Sequence, residues 1–211
     1  NIKKNRQISM KYIKSIIKTL LAASVVFIFF SCQSVQQKKG QELTISRRLL
    51  GEPVLNAQQL ADYFVSVRTD ADKEQIVQFA QYYIEEAAKE NINSDCAFAQ
   101  MCLETGYLSF GNLVVPEMHN YCGLGAMDAE HPGEWFETEQ LGVRAHIQHL
   151  QAYATTEDVP LNQELIDPRY RWVHKTKFAD TIFDLAGVWA TDKLYGEKID
   201  SILSKMEMMF R

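Results

Sequence analysis

Apolar residues recur along much of the chain with the 3.6-residue period of helices packed on one side. Between residues 72 and 91, Ile76, Phe79, Ala80, Tyr83 and Ala87 fall on one face, with Glu and Gln on the other. Asn91 suits a left-handed stop. Ser94 or Asp95 can cap a second helix, which runs through AFAQMCLET and ends at Gly106. That helix is apolar on nearly every side, which predicts a central, buried position. A stretch rich in Gly, Pro and Asn follows from Tyr107 to about Glu134, and a loop of that length in a small domain is often functional. Helical periodicity returns over residues 141–154, where Val143, Ile147, Leu150 and Ala154 align. Asp167-Pro168 marks a turn, and residues 180–190 and 196–210 fit two further helices. The last would bury Ile199, Ile202, Leu203, Met206 and Phe210. No alternating strand pattern is strong. The expected fold is therefore mainly α, one domain with at most a small β-hairpin between Tyr121 and Phe136.

The start of the chain follows a different pattern. Residues 1–31 carry Lys3, Lys4, Arg6, Lys11, Lys14 and Lys18 and no acid, then the uncharged run TLLAASVVFIFF from Thr19 to Phe30. A run of that length is short for a membrane-spanning helix and usual for the apolar core of an export signal. Ser31-Cys32 at its end resembles a bacterial lipoprotein processing site, with Phe29 where Leu is usual. Met10 begins a more ordinary signal. The expected organisation is an export signal over residues 1–31, a lipidated Cys32 with a tether over residues 32–50, and a catalytic domain over residues 51–211. The protein would then sit in the cell envelope, held to a membrane by the lipid on Cys32. The rival expectation is an uncleaved membrane anchor.

Charge narrows the partners. The whole chain has a formal charge of −5, and without the six leader cations −11 remains from Cys32 onward. A body that acidic is not built for nucleic acid. If it holds a glycan, it should do so by hydrogen bonds and aromatic stacking, for which Tyr107, Tyr121, Trp135 and Trp189 are candidates. Beyond Cys32 there are Cys96, Cys102 and Cys122, an odd number that cannot all pair within one chain. No Cys/His spacing suggests a metal site, His146 and His149 read as ordinary polar positions, and no cofactor is expected.

Glu104 is the residue that needs an explanation. It stands at the end of the most apolar helix, just before Thr105-Gly106. Burying an unpaired carboxylate is costly, so such residues are usually paired or functional. Apolar neighbours and the negative end of the helix dipole would both raise its pKa. A carboxyl kept protonated near neutrality can protonate a leaving sugar oxygen. The competing explanation is a structural salt bridge to an arginine such as Arg144, and position alone does not separate the two.

A resemblance does. AFAQMCLETGY, residues 97–107, resembles the helix end that carries the general acid in the glucosaminidase-type peptidoglycan hydrolases, a glycoside hydrolase family. HNYCGLGA, residues 119–126, is similar to that family's cleft segment opposite the acid. FETEQLGVRAHIQHLQAYA, residues 136–154, and WATDKLYGEKI, residues 189–199, resemble the two blocks that follow, the former in the phrasing of a lipoprotein subset. The resemblance covers residues 72–210 and implies a lysozyme-like, mainly α domain. It implies Glu104 as general acid, with Tyr107, Asn120, Tyr121, Gly123 and Trp189 as substrate-binding positions. It implies glycan strands of peptidoglycan as partner, and the protein is expected to act as a monomer. It also sets Cys102 beside Cys122, which would allow a disulfide.

The chain departs from the pattern in two places. Where the family has a longer hairpin with a second acid, this chain has only residues 127–139, offering Asp128, Glu130, Glu134, Glu137 and Glu139 with no motif to choose among them. The tyrosine that opens the family's last block is Trp189 here, which has no hydroxyl. A retaining route needs a second carboxylate about 5–5.5 Å from the acid and an inverting route one about 6.5–9.5 Å away, whereas a substrate-assisted route uses the sugar's own acetamido oxygen. The short hairpin favours the last. The expected activity is cleavage of the β-1,4 bond after N-acetylglucosamine. The alternatives are a lytic transglycosylase and a catalytically degenerate glycan-binding lipoprotein.

Overall fold

The computed structural model describes residues 43–156 and 159–211. The leader, Cys32 and the first part of the tether lie outside the described residues. The elements in order are α1 (Ala57–Val67), α2 (Lys73–Glu90), α3 (Ser94–Thr105), a short 3-10 turn (Pro116–Met118), α4 (Glu139–Ala154), α5 (Tyr170–Thr176) and α6 (Tyr195–Phe210). Strand pairing among the described residues is confined to isolated bridges. The fold is thus mainly α, of the lysozyme-like kind expected. No helix among the described residues is long and apolar enough to cross a membrane.

Local signals set most helix ends. Asp72 accepts from the backbone N–H of Glu74 and Gln75 to open α2, and Asn91 closes it in the left-handed region. Asn93, rather than Ser94 or Asp95, caps α3 by accepting from Asp95 N–H, and Gly106 ends it with φ 57°. α1 escapes the periodicity reading, yet it carries a legible start: Asn56 and Gln59 form a reciprocal capping box. α5 is a short helix of about two turns after the expected Asp167-Pro168 turn.

α3 is central, as its composition predicts: ten of its twelve residues are buried, and α1, α2, α4 and α6 all pack on it. α2 lies between α1 and α4 and is fastened to α4 by Glu86, which is fully enclosed. Lys89 Nζ and Arg144 Nε each donate to it at 2.9 Å, Gln140 Nε2 at 2.8 Å and Gln163 Nε2 at 2.7 Å. Burial pushes the Glu86 carboxyl up, but these four donors outweigh it and hold the pKa down at about 2.

Two segments differ from expectation. Residues 180–190 form turns rather than a helix. Their backbone is drawn to the N-terminal segment: Leu49 N–H donates to Asp180 O at 2.9 Å and Ile182 N–H to Arg47 O at 3.0 Å. The Asp184 carboxylate closes the turn by accepting from Thr181 N–H and Oγ1. Residues 43–50, expected as tether, are part of the packed body. Ile45 and Leu49 are buried in the main core, and Arg47 is paired with Asp200 and Glu207 of α6.

Candidate active site

The site begins where α3 stops. Gly106, Tyr107 and Leu108 take three successive left-handed conformations, with φ 57°, 57° and 58°. For the two residues with side chains this conformation is unfavourable by about 1 kcal/mol or more each. Hydrogen bonds hold it: Leu108 N–H donates to Thr105 Oγ1 at 2.8 Å, Phe110 N–H to Thr105 O at 2.8 Å, and Tyr107 N–H to Cys102 O at 2.9 Å. The turn carries residues 110–114 back beside the helix end. They form one wall of a cleft of about 370 Å³, and Asn120, Gly123 and Ala126 form the other, with Glu104 between.

α4 reaches this second wall only because residue 142 is glycine. A side chain there would meet His119 O at 1.8 Å. The wall is then shaped by Asn120, whose Oδ1 accepts from Leu124 N–H and whose Nδ2 donates to Leu124 O and Glu134 O. With Glu134 N–H donating to Leu124 O at 2.8 Å and the Asp128–His131 bridge at the tip, this makes the small hairpin-like turn.

Glu104 has no cationic partner among the described residues, and Arg144 is spent on Glu86. The salt-bridge explanation therefore fails. Instead Trp189 Nε1–H donates to Glu104 Oε1 at 2.9 Å, and the Tyr195 hydroxyl donates to the same oxygen. Oε2 has no described donor and is left to the cleft. Desolvation raises the Glu104 pKa, and the hydrogen bonds from Tyr195 and Trp189 offset it only in part.

Behind Glu104 lies a line of buried polar groups. Gln100 Nε2 donates to Tyr195 Oη at 2.9 Å, so Gln100 Oε1 must accept from His146 Nε2–H at 3.1 Å. His146 Nδ1 is then the acceptor for the Tyr83 hydroxyl at 2.9 Å. Burial, with a smaller contribution from His149, pushes the His146 pKa down to about 3, so the ring is neutral and this tautomer is fixed. Every donor in the line points toward Glu104, and such chains reinforce one another. Gln100, His146 and Tyr195 were not singled out by the sequence. Only Tyr195 carried a signal, as the tyrosine within WATDKLY; its hydroxyl supplies what Trp189 lacks.

The other expected site residues divide. Gly123 lines the cleft and Trp189 holds the acid. Asn120 lines it, but its amide is consumed by the turn. Tyr121 is 3% exposed and stacked edge-on against Phe79 at 4.7 Å, so it is a core residue and not a sugar platform. Tyr107 turns away, its hydroxyl 3.0 Å from that of Tyr63 and its ring against Phe64. Trp135 is exposed and outside the cleft lining. Cys96, Cys102 and Cys122 are free buried thiols, so the Cys102–Cys122 disulfide is absent. Among the candidate second acids, Asp128 is exposed and paired with His131, and Glu130 and Glu137 are exposed. Glu139 opens α4 on the exposed side. Glu134 is half-buried, its Oε1 3.0 Å from where a side chain on Gly125 would begin, but it is not among the residues that line the cleft.

A family model described as mannosyl-glycoprotein endo-beta-N-acetylglucosaminidase matches residues 80–208. That span runs from the middle of α2 almost to the end of α6 and contains both groups that donate to Glu104. A protein of Borreliella burgdorferi, described as uncharacterized, is 39% identical over 172 residues, covering 82% of this chain and 80% of the relative. No solved structure matches.

Proposed function

Because the chain belongs to the glucosaminidase family, we propose that it hydrolyses the β-1,4 bond after N-acetylglucosamine in peptidoglycan, with Glu104 as the general acid. The observation that carries this reading is the state of Glu104: a carboxyl at a cleft floor, without a cation among the described residues, held by two donors on one oxygen and biased by desolvation toward its protonated form. The proton on Oε2 passes to the glycosidic oxygen as the C1–O bond breaks, and the electron pair of that bond leaves with the departing sugar. Positive charge then develops at C1. Either the substrate's acetamido oxygen or an enzyme carboxylate meets it, and water completes the hydrolysis. Among the candidate second acids Glu134 is the one not fully exposed, and it is the carboxylate to test for that role.

The reading includes export and anchoring through a lipid on Cys32. Cys32→Ser should then leave unprocessed precursor or release the protein from the membrane fraction, whereas unchanged mobility and location would favour an uncleaved anchor. For the chemistry, purified peptidoglycan is digested and the released ends are analysed by mass spectrometry. Reducing N-acetylglucosamine ends support the proposal. Anhydro-muramic ends would replace it with a lytic transglycosylase, and binding without release with a glycan-binding lipoprotein.

A further inference from the structure

A second hollow of about 280 Å³ adjoins the cleft, and its chemistry differs. Gly123 and Ala126 line both spaces, and Trp189, whose indole N–H holds Glu104, lines the second. Opposite stand Arg169, Trp172 and Lys177. The Arg169 guanidinium lies 5.5 Å from the Trp172 ring centre and the Lys177 ammonium 5.8 Å from it, so one exposed indole carries two cations at the rim. Neither cation is ion-paired with a described carboxylate. The neighbouring acid, Asp167, is enclosed and already engaged: Oδ2 by His149 Nδ1 at 2.7 Å and Oδ1 by the backbone N–H of Arg169 at 2.8 Å.

This placement runs against the charge of the body. From Leu43 onward the chain has 14 Lys and Arg against 26 Asp and Glu, yet residues 169–177 hold four of those cations and no acid. An uncharged polymer of N-acetylated sugars gives such cations nothing to bind. The charges of a peptidoglycan strand lie instead on the peptide branch, joined to every second sugar and rich in carboxylates. We propose that this hollow binds a carboxylate of that branch, with Arg169 and Lys177 as its partners and the faces of Trp172 and Trp189 against the aliphatic part. The inference rests on the proposed activity on peptidoglycan. It would make the enzyme prefer strands whose peptides are intact, because a strand seated at Glu104 places its branch beside the cleft. A flat anionic lipid surface is the other ligand that a basic rim could attract. The continuity with the cleft, through Gly123 and Ala126, favours a small branched ligand.

The test compares two soluble glycan fragments of equal length, one with its peptides and one stripped of them by an amidase. Their binding to the full chain carrying Glu104→Gln is measured by calorimetry, so cleavage does not intervene. The peptide-bearing fragment should bind about tenfold more tightly, the worth of two partly exposed charged contacts. Adding salt should erode that preference. Adding Arg169→Gln and Lys177→Gln should bring it close to one, with melting temperature checked on the same samples. Equal binding of the two fragments, no binding of either, or a preference that survives the double substitution would overturn the subsite. So would loss of binding to anionic phospholipid vesicles in the double variant while the peptide preference persists. If the unsubstituted enzyme releases no sugar ends yet the preference appears and responds to Arg169 and Lys177, the hydrolase reading fails and the subsite stands.

Discussion

Tyr195→Phe removes one oxygen at the junction between the acid and the buried line behind it. Glu104 Oε1 loses a donor but keeps Trp189 Nε1–H, and Gln100 Nε2 loses its acceptor. Gln100 is 1% exposed, so water cannot replace that partner without rearrangement. An orphaned buried donor costs about 1–3 kcal/mol, which for a domain of this size lowers the melting temperature by roughly 2–12 °C. The effect on the acid has a definite sign. The hydroxyl favours the carboxylate form, so its loss raises the Glu104 pKa further. Activity that needs protonated Glu104 falls as pH rises through that pKa, so the alkaline limb of the kcat profile should move to higher pH. The assay is release of reducing ends from soluble glycan across pH, paired with thermal unfolding. An alkaline limb that stays put or moves to lower pH would refute the placement of Tyr195 on the acid. Unchanged stability would refute the buried line.

Other expectations are more local. Glu86 has a pKa held at about 2 against an ordinary 4.5, so its stabilising contribution is complete above about pH 4.5 and fades as pH falls toward 2. The loss is on the order of 3 kcal/mol, and Glu86→Gln should flatten this part of the stability curve measured by urea unfolding. Gly142→Ala gains about 1 kcal/mol of helix propensity but places a methyl group 1.8 Å from His119 O. The clash must win, with a net loss of about 2 kcal/mol or more and reduced activity as the cleft wall shifts; a stabilised, fully active variant would contradict the packing. Glu134→Gln should reduce turnover by about tenfold or more if its carboxylate assists at C1, with little change in melting temperature, and unaltered turnover would leave the substrate's acetamido group as the sole nucleophile.

What could be read from the sequence was what is encoded locally. α2 and the end of α3 were legible because Asp72, Asn91 and Gly106 act within one turn of their own helices. Glu104 stood out because a lone carboxylate in an apolar helix has few explanations, and four motifs in order favoured one of them. The failures share a different cause. Residues 180–190 have helical spacing, but their backbone pairs with residues 47–49, which no local pattern shows. Tyr121 looked like a sugar platform because aromatic type does not distinguish stacking on Phe79 from stacking on a ligand. Asn120 sits where expected, yet its amide is taken by Leu124 and Glu134. The partners of Glu104 come from α6 and from the turn before it, and the line through Gln100 and His146 joins α2, α3 and α4. Those groups meet only when the helices pack.

The account rests on Glu104 being a proton donor and not a structural charge. Glu104→Gln keeps the shape and the oxygen that accepts from Trp189 and Tyr195, and removes the proton. Turnover on peptidoglycan and thermal unfolding are measured on one preparation of wild type and variant. The expected result is a fall in turnover of about 10²–10⁴-fold with a melting temperature that holds or rises, since a neutral amide replaces a carboxyl whose charged form is disfavoured by burial. A variant that unfolds readily but turns over normally per folded molecule would contradict it.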